Sequence, residues 1–136
     1  MINRRSFFKS TATAGAALVV GSLATSAVAM TKDVTSSGTF QGRSNHITTG
    51  GVSLYKEGDQ YFVELADDFS LDGGPDPRVG FGKDGEYDRD GYLGALISLK
   101  GKQVYALPKI WDPKKWDQVY IWCEVAGVPL GVADLK

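Results

Sequence analysis

Apolar and polar residues alternate in several short stretches of this chain, and residues 119–125 show the pattern most clearly. Successive side chains of a strand point to opposite faces of the sheet. One face of this stretch is apolar throughout and carries Val119, Ile121, Cys123 and Val125. The other face carries Tyr120, Trp122 and Glu124. We therefore predict a strand that directs Cys123, the only cysteine in the chain, into the core.

The same pattern predicts strands along the rest of the chain, at residues 38–42, 46–55, 60–65, 78–83, 93–99, 103–107 and 130–135. The turn residues 56–59 and 100–102 each predict a hairpin between the strands that they separate. Glycine, proline and acidic residues predict loops at 72–77 and 84–91. No stretch shows sustained helical periodicity. These patterns predict an all-β fold, a small β-sandwich or barrel of about eight short, mostly antiparallel strands.

The first 29 residues have a different character. Arg4 and Arg5 precede a mildly apolar run at residues 12–28, which ends in a small-x-small motif at Ala29. This arrangement resembles a twin-arginine export signal that is cleaved from the mature protein. We therefore predict a periplasmic or extracellular protein with no membrane anchor after cleavage. The predicted division is a twin-arginine signal peptide at 1–29, a flexible lead-in at 30–37 and one β domain at 38–136.

The charge and the cysteine count of the mature chain exclude several classes of protein. Removal of the signal takes away three of the 15 basic residues and none of the 16 acidic ones, which leaves a net charge of −4. This charge argues against nucleic acid or an anionic membrane surface as the partner. One cysteine forms no disulfide within the chain, so the core alone must hold the fold.

Several stretches, taken in order, resemble the DM-thirteen domain, a small all-β module described as an electron-transfer domain. The resemblance rests on these residues: Gly38, Phe40, His46, Gly51-Val52, Leu54-Tyr55, Phe69, Gly74-Pro75-Asp76, Leu99-Lys100-Gly101, Gln103, Tyr105, Leu107-Pro108, Val119, Ile121-Trp122-Cys123, Val128, Gly131, Ala133 and Leu135. The chain departs from the family pattern at Ala126 and Leu130, where the family tends to carry phenylalanine. The resemblance implies a β-sandwich with a redox-active cysteine at Cys123.

Cys123 has two interpretations. Taken alone, a strand cysteine is usually a small hydrophobe in the core. As the functional group of an electron-transfer domain, a single thiol is limited to three kinds of chemistry, because no second cysteine is present. It forms a sulfenic acid, a mixed disulfide with another molecule, or a thiolate bond to a metal or haem.

His46 is the only histidine in the chain and matches a position of the family. It is a candidate axial haem ligand, a candidate metal ligand, or a base that activates Cys123; the alternative is a strand histidine bonded to the backbone. Trp122 and Tyr105 are the predicted aromatic neighbours of the cofactor, which the sequence leaves open as haem or a redox metal. A single histidine excludes a blue-copper site, and we assign no metal ligands. The expected partner is a periplasmic redox protein or a cytochrome.

Two further features support an alternative function, a non-catalytic binding module for a carbohydrate, an envelope polymer or a partner protein. Trp111 and Trp116 flank a predicted helical turn, 112–116, which Asp112 caps. They either stack on sugar rings or cap one end of the core. The eight acidic residues of 67–90 either bind calcium or form a solvated loop, and their spacing does not match an EF-hand.

Electron transfer through Cys123 remains the primary functional prediction, and we regard an enzymatic role as less favoured. A conventional hydrolase is disfavoured, because the chain has one histidine and no nucleophile-elbow motif.

Overall fold

Short alternating segments of residues 31–136, the part of the chain that the computed structural model describes, form eleven strands and no α-helix. The strands are β1 (Asp33–Gly42), β2 (Thr48–Thr49), β3 (Gly51–Glu57), β4 (Gln60–Leu65), β5 (Ser70–Leu71), β6 (Pro77–Lys83), β7 (Glu86–Asp88), β8 (Gly94–Ala95), β9 (Gln103–Ala106), β10 (Gln118–Cys123) and β11 (Val128–Asp134). The predicted signal peptide lies outside the described residues. In residues 31–136, no helix has the length and apolarity needed to cross a membrane.

Eight strands form one antiparallel sheet in the order β7-β6-β10-β11-β1-β3-β4-β9, which curls into a half-barrel. β8 pairs with β6, and β2 pairs with β5 in a separate small sheet. The all-β prediction is confirmed. The hairpin predicted around residues 56–59 is also confirmed, since β3 and β4 pair from Val52 with Leu65 to Glu57 with Gln60.

β10 lies between β6 and β11 and supplies the centre of the core. Val119 and Ile121 are fully buried, and Cys123 is 2% exposed, so the prediction for the apolar face is confirmed at these positions. The strand ends at Cys123, however, and Val125 is 70% exposed. The prediction that Val125 continues the apolar face is therefore wrong, because the chain already turns at this point.

The predicted strand 93–99 and its hairpin with 103–107 are wrong. Only Gly94–Ala95 form a strand, which pairs with β6, whereas β9 pairs with β4. The backbone of the segment is bonded to side chains instead: Ile97 N–H donates to the Tyr105 hydroxyl, and Ser98 N–H donates to Gln103 Oε1. These hydrogen bonds satisfy backbone N–H groups that would otherwise need a neighbouring strand as their partner.

Two further segments differ from the sequence prediction. β1 begins at Asp33, so most of the expected lead-in pairs with β3. Residues 84–91 are not a simple loop, because β7 forms a hairpin with β6 and a one-turn 3-10 helix, Arg89–Gly91, follows it. β7 has only three residues, all of them polar or aromatic, so it shows no alternation of apolar and polar positions from which a strand could be predicted.

Candidate functional site

Cys123 lies at the end of β10, opposite Pro77 of β6 and Val128 of β11. Its sulfur has two polar neighbours, both in the backbone. The thiol donates a hydrogen bond to the Pro75 carbonyl (3.2 Å), and the Sγ atom accepts one from the Ala126 N–H (3.4 Å). The sulfur is therefore buried but not surrounded by apolar groups alone.

Pro75 belongs to a segment of residues 72–76, the 72–76 loop, which joins β5 to β6. Gly73 and Gly74 adopt φ values of 128° and 146°, which side chains other than glycine rarely adopt. A Cβ on Gly74 would lie 3.2 Å from Leu130 and 3.6 Å from the His46 ring. The loop therefore lies against the His46 ring at Gly74 and accepts a hydrogen bond from the Cys123 thiol at Pro75.

The first end of the loop is held by His46. Its Nδ1 donates to Asp72 Oδ1 at 2.9 Å, and the Ile47 N–H donates to Asp72 Oδ2 at 3.0 Å. These two hydrogen bonds, with that of His46 the larger cause, lower the pKa of the Asp72 carboxyl. His46 lies in the turn between β1 and β2, so the prediction of a strand histidine is wrong. It is bonded to a carboxylate through its side chain.

The second end of the loop is held by Arg78 of β6. Its guanidinium donates two hydrogen bonds to the Asp76 carboxylate, both 2.8 Å long. This bidentate pair lowers the pKa of Asp76 and raises the pKa of Arg78. The Asp76 carbonyl also accepts the N–H of Glu124 at 3.3 Å. Both ends of the loop are thus fixed by hydrogen bonds to side chains.

The described residues do not fit a metal centre or a haem pocket at Cys123. No group of three or more His, Cys, Asp and Glu side chains among residues 31–136 is arranged to hold a metal ion. Neither Cys123 nor His46 lines any of the four surface cavities of about 190 to 580 Å³ that are best defined in this part of the chain. His46 and Cys123 are bonded to different residues of one loop, so we derive no step through a metal.

Trp122 and Tyr105 do not join this site. Trp122 points to the other face of β10, where its ring stacks on Tyr87 with centroids 4.3 Å apart. The Tyr105 hydroxyl donates to Gln103 Oε1 (2.6 Å) and accepts from Ile97 N–H, so it fixes the chain before β9. Burial raises the pKa of Tyr105.

Trp111 and Trp116 cap one end of the core, as one of the two interpretations predicts. Each is 8% exposed, and both stack with or pack against Phe81. The Trp116 Nε1–H donates to Asp88 at 2.9 Å, which lowers the pKa of that carboxyl. Asp112 does cap the following turn, since its Oδ1 accepts the Lys114 N–H. Buried indole rings do not offer the exposed surface that stacking on sugars requires.

Three further residues of the candidate site were not predicted from the sequence as site residues: Asp72, Asp76 and Arg78. A signal for them is present, because two carboxylates bracket a Gly-Gly-Pro segment and an arginine follows two residues later. Asp76 and Arg78 pair with each other two residues apart, whereas Asp72 pairs with His46, which lies 26 positions away. Alternation of apolar and polar residues carries no information on either pairing.

A comparison with protein families supports the electron-transfer character of the domain. The family profile described as Electron transfer DM13 matches residues 39–135, most of the chain. Neither the curated proteins nor the solved structures compared with the chain give a significant match. The matched region contains Cys123, His46 and the whole 72–76 loop. The chain therefore belongs to the DM13 family of electron-transfer domains.

Proposed function

We propose that this protein is an exported electron-transfer domain whose redox group is the thiol of Cys123. The observation that supports this role best is the position of the sulfur between the Pro75 carbonyl and the Ala126 N–H. A purely structural cysteine packs as a small hydrophobe and needs no such neighbours. These two polar contacts distinguish Cys123 from a cysteine that packs among apolar groups alone.

The chemistry must be intermolecular, because the chain has one cysteine. In the simplest cycle, the Cys123 thiolate attacks one sulfur of a partner's disulfide, that S–S bond breaks, and the partner's second sulfur leaves as a thiolate. One thiol of a dithiol donor then attacks the Cys123 sulfur of the mixed disulfide, and the partner's first sulfur leaves as a thiolate. The donor's second thiol attacks the donor sulfur that is now bonded to Cys123, so Cys123 leaves as a thiolate, the donor becomes a disulfide, and two electrons have passed from the donor to the original disulfide. A separate redox protein is the expected partner.

An equilibrium titration tests the redox role. The purified protein is incubated to constancy in buffers of different reduced-to-oxidised glutathione ratios, and the fraction carrying one glutathione is measured by mass spectrometry. We expect reversible modification of the folded protein, with Cys123→Ser as the unmodified control. A native thiol that stays free at every ratio, and is modified only after denaturation, would contradict the proposal.

Export is a separate part of the proposal and rests on Arg4, Arg5 and the apolar run that follows them. The test replaces both arginines by lysine in the full chain, which keeps the charge and removes the paired-arginine motif. We expect the unmodified chain in the periplasmic or extracellular fraction and the double variant uncleaved in the cytoplasm. Identical fractionation of both chains would exclude the twin-arginine route.

A further inference from the structure

We propose that the 72–76 loop is a cover over Cys123, that the His46–Asp72 hydrogen bond and the Arg78–Asp76 ion pair hold this cover shut, and that the thiol reacts only when the loop lifts. Asp72 and Asp76 are then positioning residues, which act on the thiol through the loop between them. The biological purpose of the cover rests on the proposed redox use of Cys123. The cover itself is independent of that use and is measured by alkylation.

The burial pattern places the loop between the sulfur and solvent. Cys123 is 2% exposed, whereas Asp72, Gly74, Pro75 and Asp76 are all exposed. The Pro75 carbonyl contacts the sulfur directly at 3.2 Å. Movement of Pro75 away from β10 would therefore expose the thiol without disturbing the strand.

The loop contributes little to the core, so it opens at low cost. None of residues 72–76 belongs to the cluster of buried apolar residues. The loop is held by hydrogen bonds and ion pairs near the surface, and segments held in this way open more readily than core strands. Gly73 makes no close packing contact that would hold the loop down, since even a Cβ at this position would meet nothing within 4 Å.

Two side-chain pairs hold the loop at its ends. His46 binds Asp72 at 2.9 Å, and Arg78 binds Asp76 through two 2.8 Å hydrogen bonds. Partly exposed pairs of this kind stabilise a conformation modestly. Loss of one pair should therefore raise the open fraction several-fold, and loss of both should raise it by roughly the product, on the order of tenfold.

The experiment measures the pseudo-first-order rate of Cys123 alkylation by iodoacetamide in the folded full-length protein. The variants are Asp72→Asn, Asp76→Asn and the double variant. Asp67→Asn is the matched control, because Asp67 is exposed and has no side-chain hydrogen bond or ion pair in the described part of the chain. The rate is referred to that of the same protein in denaturant, and Tm is measured for each variant.

We expect slow alkylation of the unmodified protein, an increase of several-fold in each single variant, a larger increase in the double variant, and no change in Asp67→Asn. Low concentrations of denaturant should not change the alkylation rates, because the 72–76 loop opens without unfolding of the whole domain. Rapid alkylation of the unmodified chain, equal rates in all four variants, or rates that only follow Tm would each overturn the cover. If Cys123 of the folded protein forms no mixed disulfide with glutathione, while the alkylation rates of the variants change as expected, the redox role is wrong and the cover stands.

Discussion

Trp122 and Cys123 are consecutive residues of β10, and their side chains lie on opposite faces of the sheet. The Trp122 ring is stacked on Tyr87 at an interplanar angle of 10°. The two side chains are therefore separate in position, and separate roles are a prediction.

The first prediction tests this separation. Trp122→Phe keeps an aromatic ring against Tyr87 and should lower the free energy of unfolding by only about 1 kcal/mol, within the range for one aromatic pair. It should leave the glutathione equilibrium of Cys123 unchanged. Urea unfolding and mass spectrometry measure the two effects. A large shift in the equilibrium would place Trp122 in the redox site after all.

The second prediction concerns acid. The pKa values of Asp72, Asp76 and Asp88 are all lowered from their ordinary value of 3.8. Carboxyls whose pKa is lower in the folded state stabilise it above the unfolded pKa, and this contribution is lost as the pH falls through the folded pKa. We expect a constant Tm between about pH 7 and pH 5 and a steep fall below about pH 4.

The control for this effect is a set of three amide variants, Asp72→Asn, Asp76→Asn and Asp88→Asn. Each should have a lower Tm than the unmodified protein at neutral pH and a smaller difference from it at low pH, because the unmodified carboxyl is then protonated too. Asp67→Asn should follow the unmodified curve. Parallel curves for all the chains would show that these carboxyls do not carry the acid sensitivity.

The third prediction concerns a close approach of two strands. A Cβ on Gly38 of β1 would overlap the backbone oxygen of Asp134 in β11, and a backbone atom has no alternative rotamer. Gly38→Ala should therefore lower the free energy of unfolding by about 1–3 kcal/mol, the usual effect of overpacking. Gly51→Ala is the matched control, since its Cβ would have ordinary contacts of 3.6 Å or more. Equal Tm values for the two variants would contradict this reason for glycine at position 38.

Alternation along the chain predicts much of this fold. The face of β10 that carries Cys123 and the hairpin of β3 with β4 follow from local pattern, because a strand with one buried face must alternate. The segment after β8 could not be predicted in this way. Its apolar residues Ile97 and Leu99 are exposed, and side chains of β9 take the place of a partner strand.

The candidate site was predictable only in part. Cys123 and His46 were identified from their uniqueness and from the family resemblance, but their connection was not. The 72–76 loop joins them through Asp72 and Pro75, and this arrangement depends on how β2, β5 and β10 meet in three dimensions. Glycine and proline residues indicate a loop and give no information on what it covers.

The fourth prediction separates Tyr105 from the redox site. Tyr105→Phe removes the hydroxyl that accepts the Ile97 N–H and leaves that donor unpaired, which costs about 1–3 kcal/mol. The glutathione equilibrium of Cys123 should stay the same, since the Tyr105 hydroxyl is bonded only to Gln103 and Ile97 within the described residues. Urea unfolding gives the cost. An altered equilibrium at unchanged stability would restore Tyr105 as a cofactor neighbour.

The last prediction decides how the binding-module alternative must be tested. Trp111 packs against Tyr61, Phe81 and Trp116 with ring centroids 5.2 to 6.0 Å apart, so Trp111→Ala should cost about 3–5 kcal/mol. Loss of a binding partner in this variant would then report unfolding. Trp111 and Ile110 both line a surface cavity of about 300 Å³. Ile110 is 94% exposed, so Ile110→Ser should leave Tm almost unchanged. A sugar or polymer that the unmodified protein retains on an affinity matrix, and that Ile110→Ser does not, would support this surface as a binding site. If Ile110→Ser still retains the sugar or polymer and only Trp111→Ala does not, the lost binding would result from damage to the core.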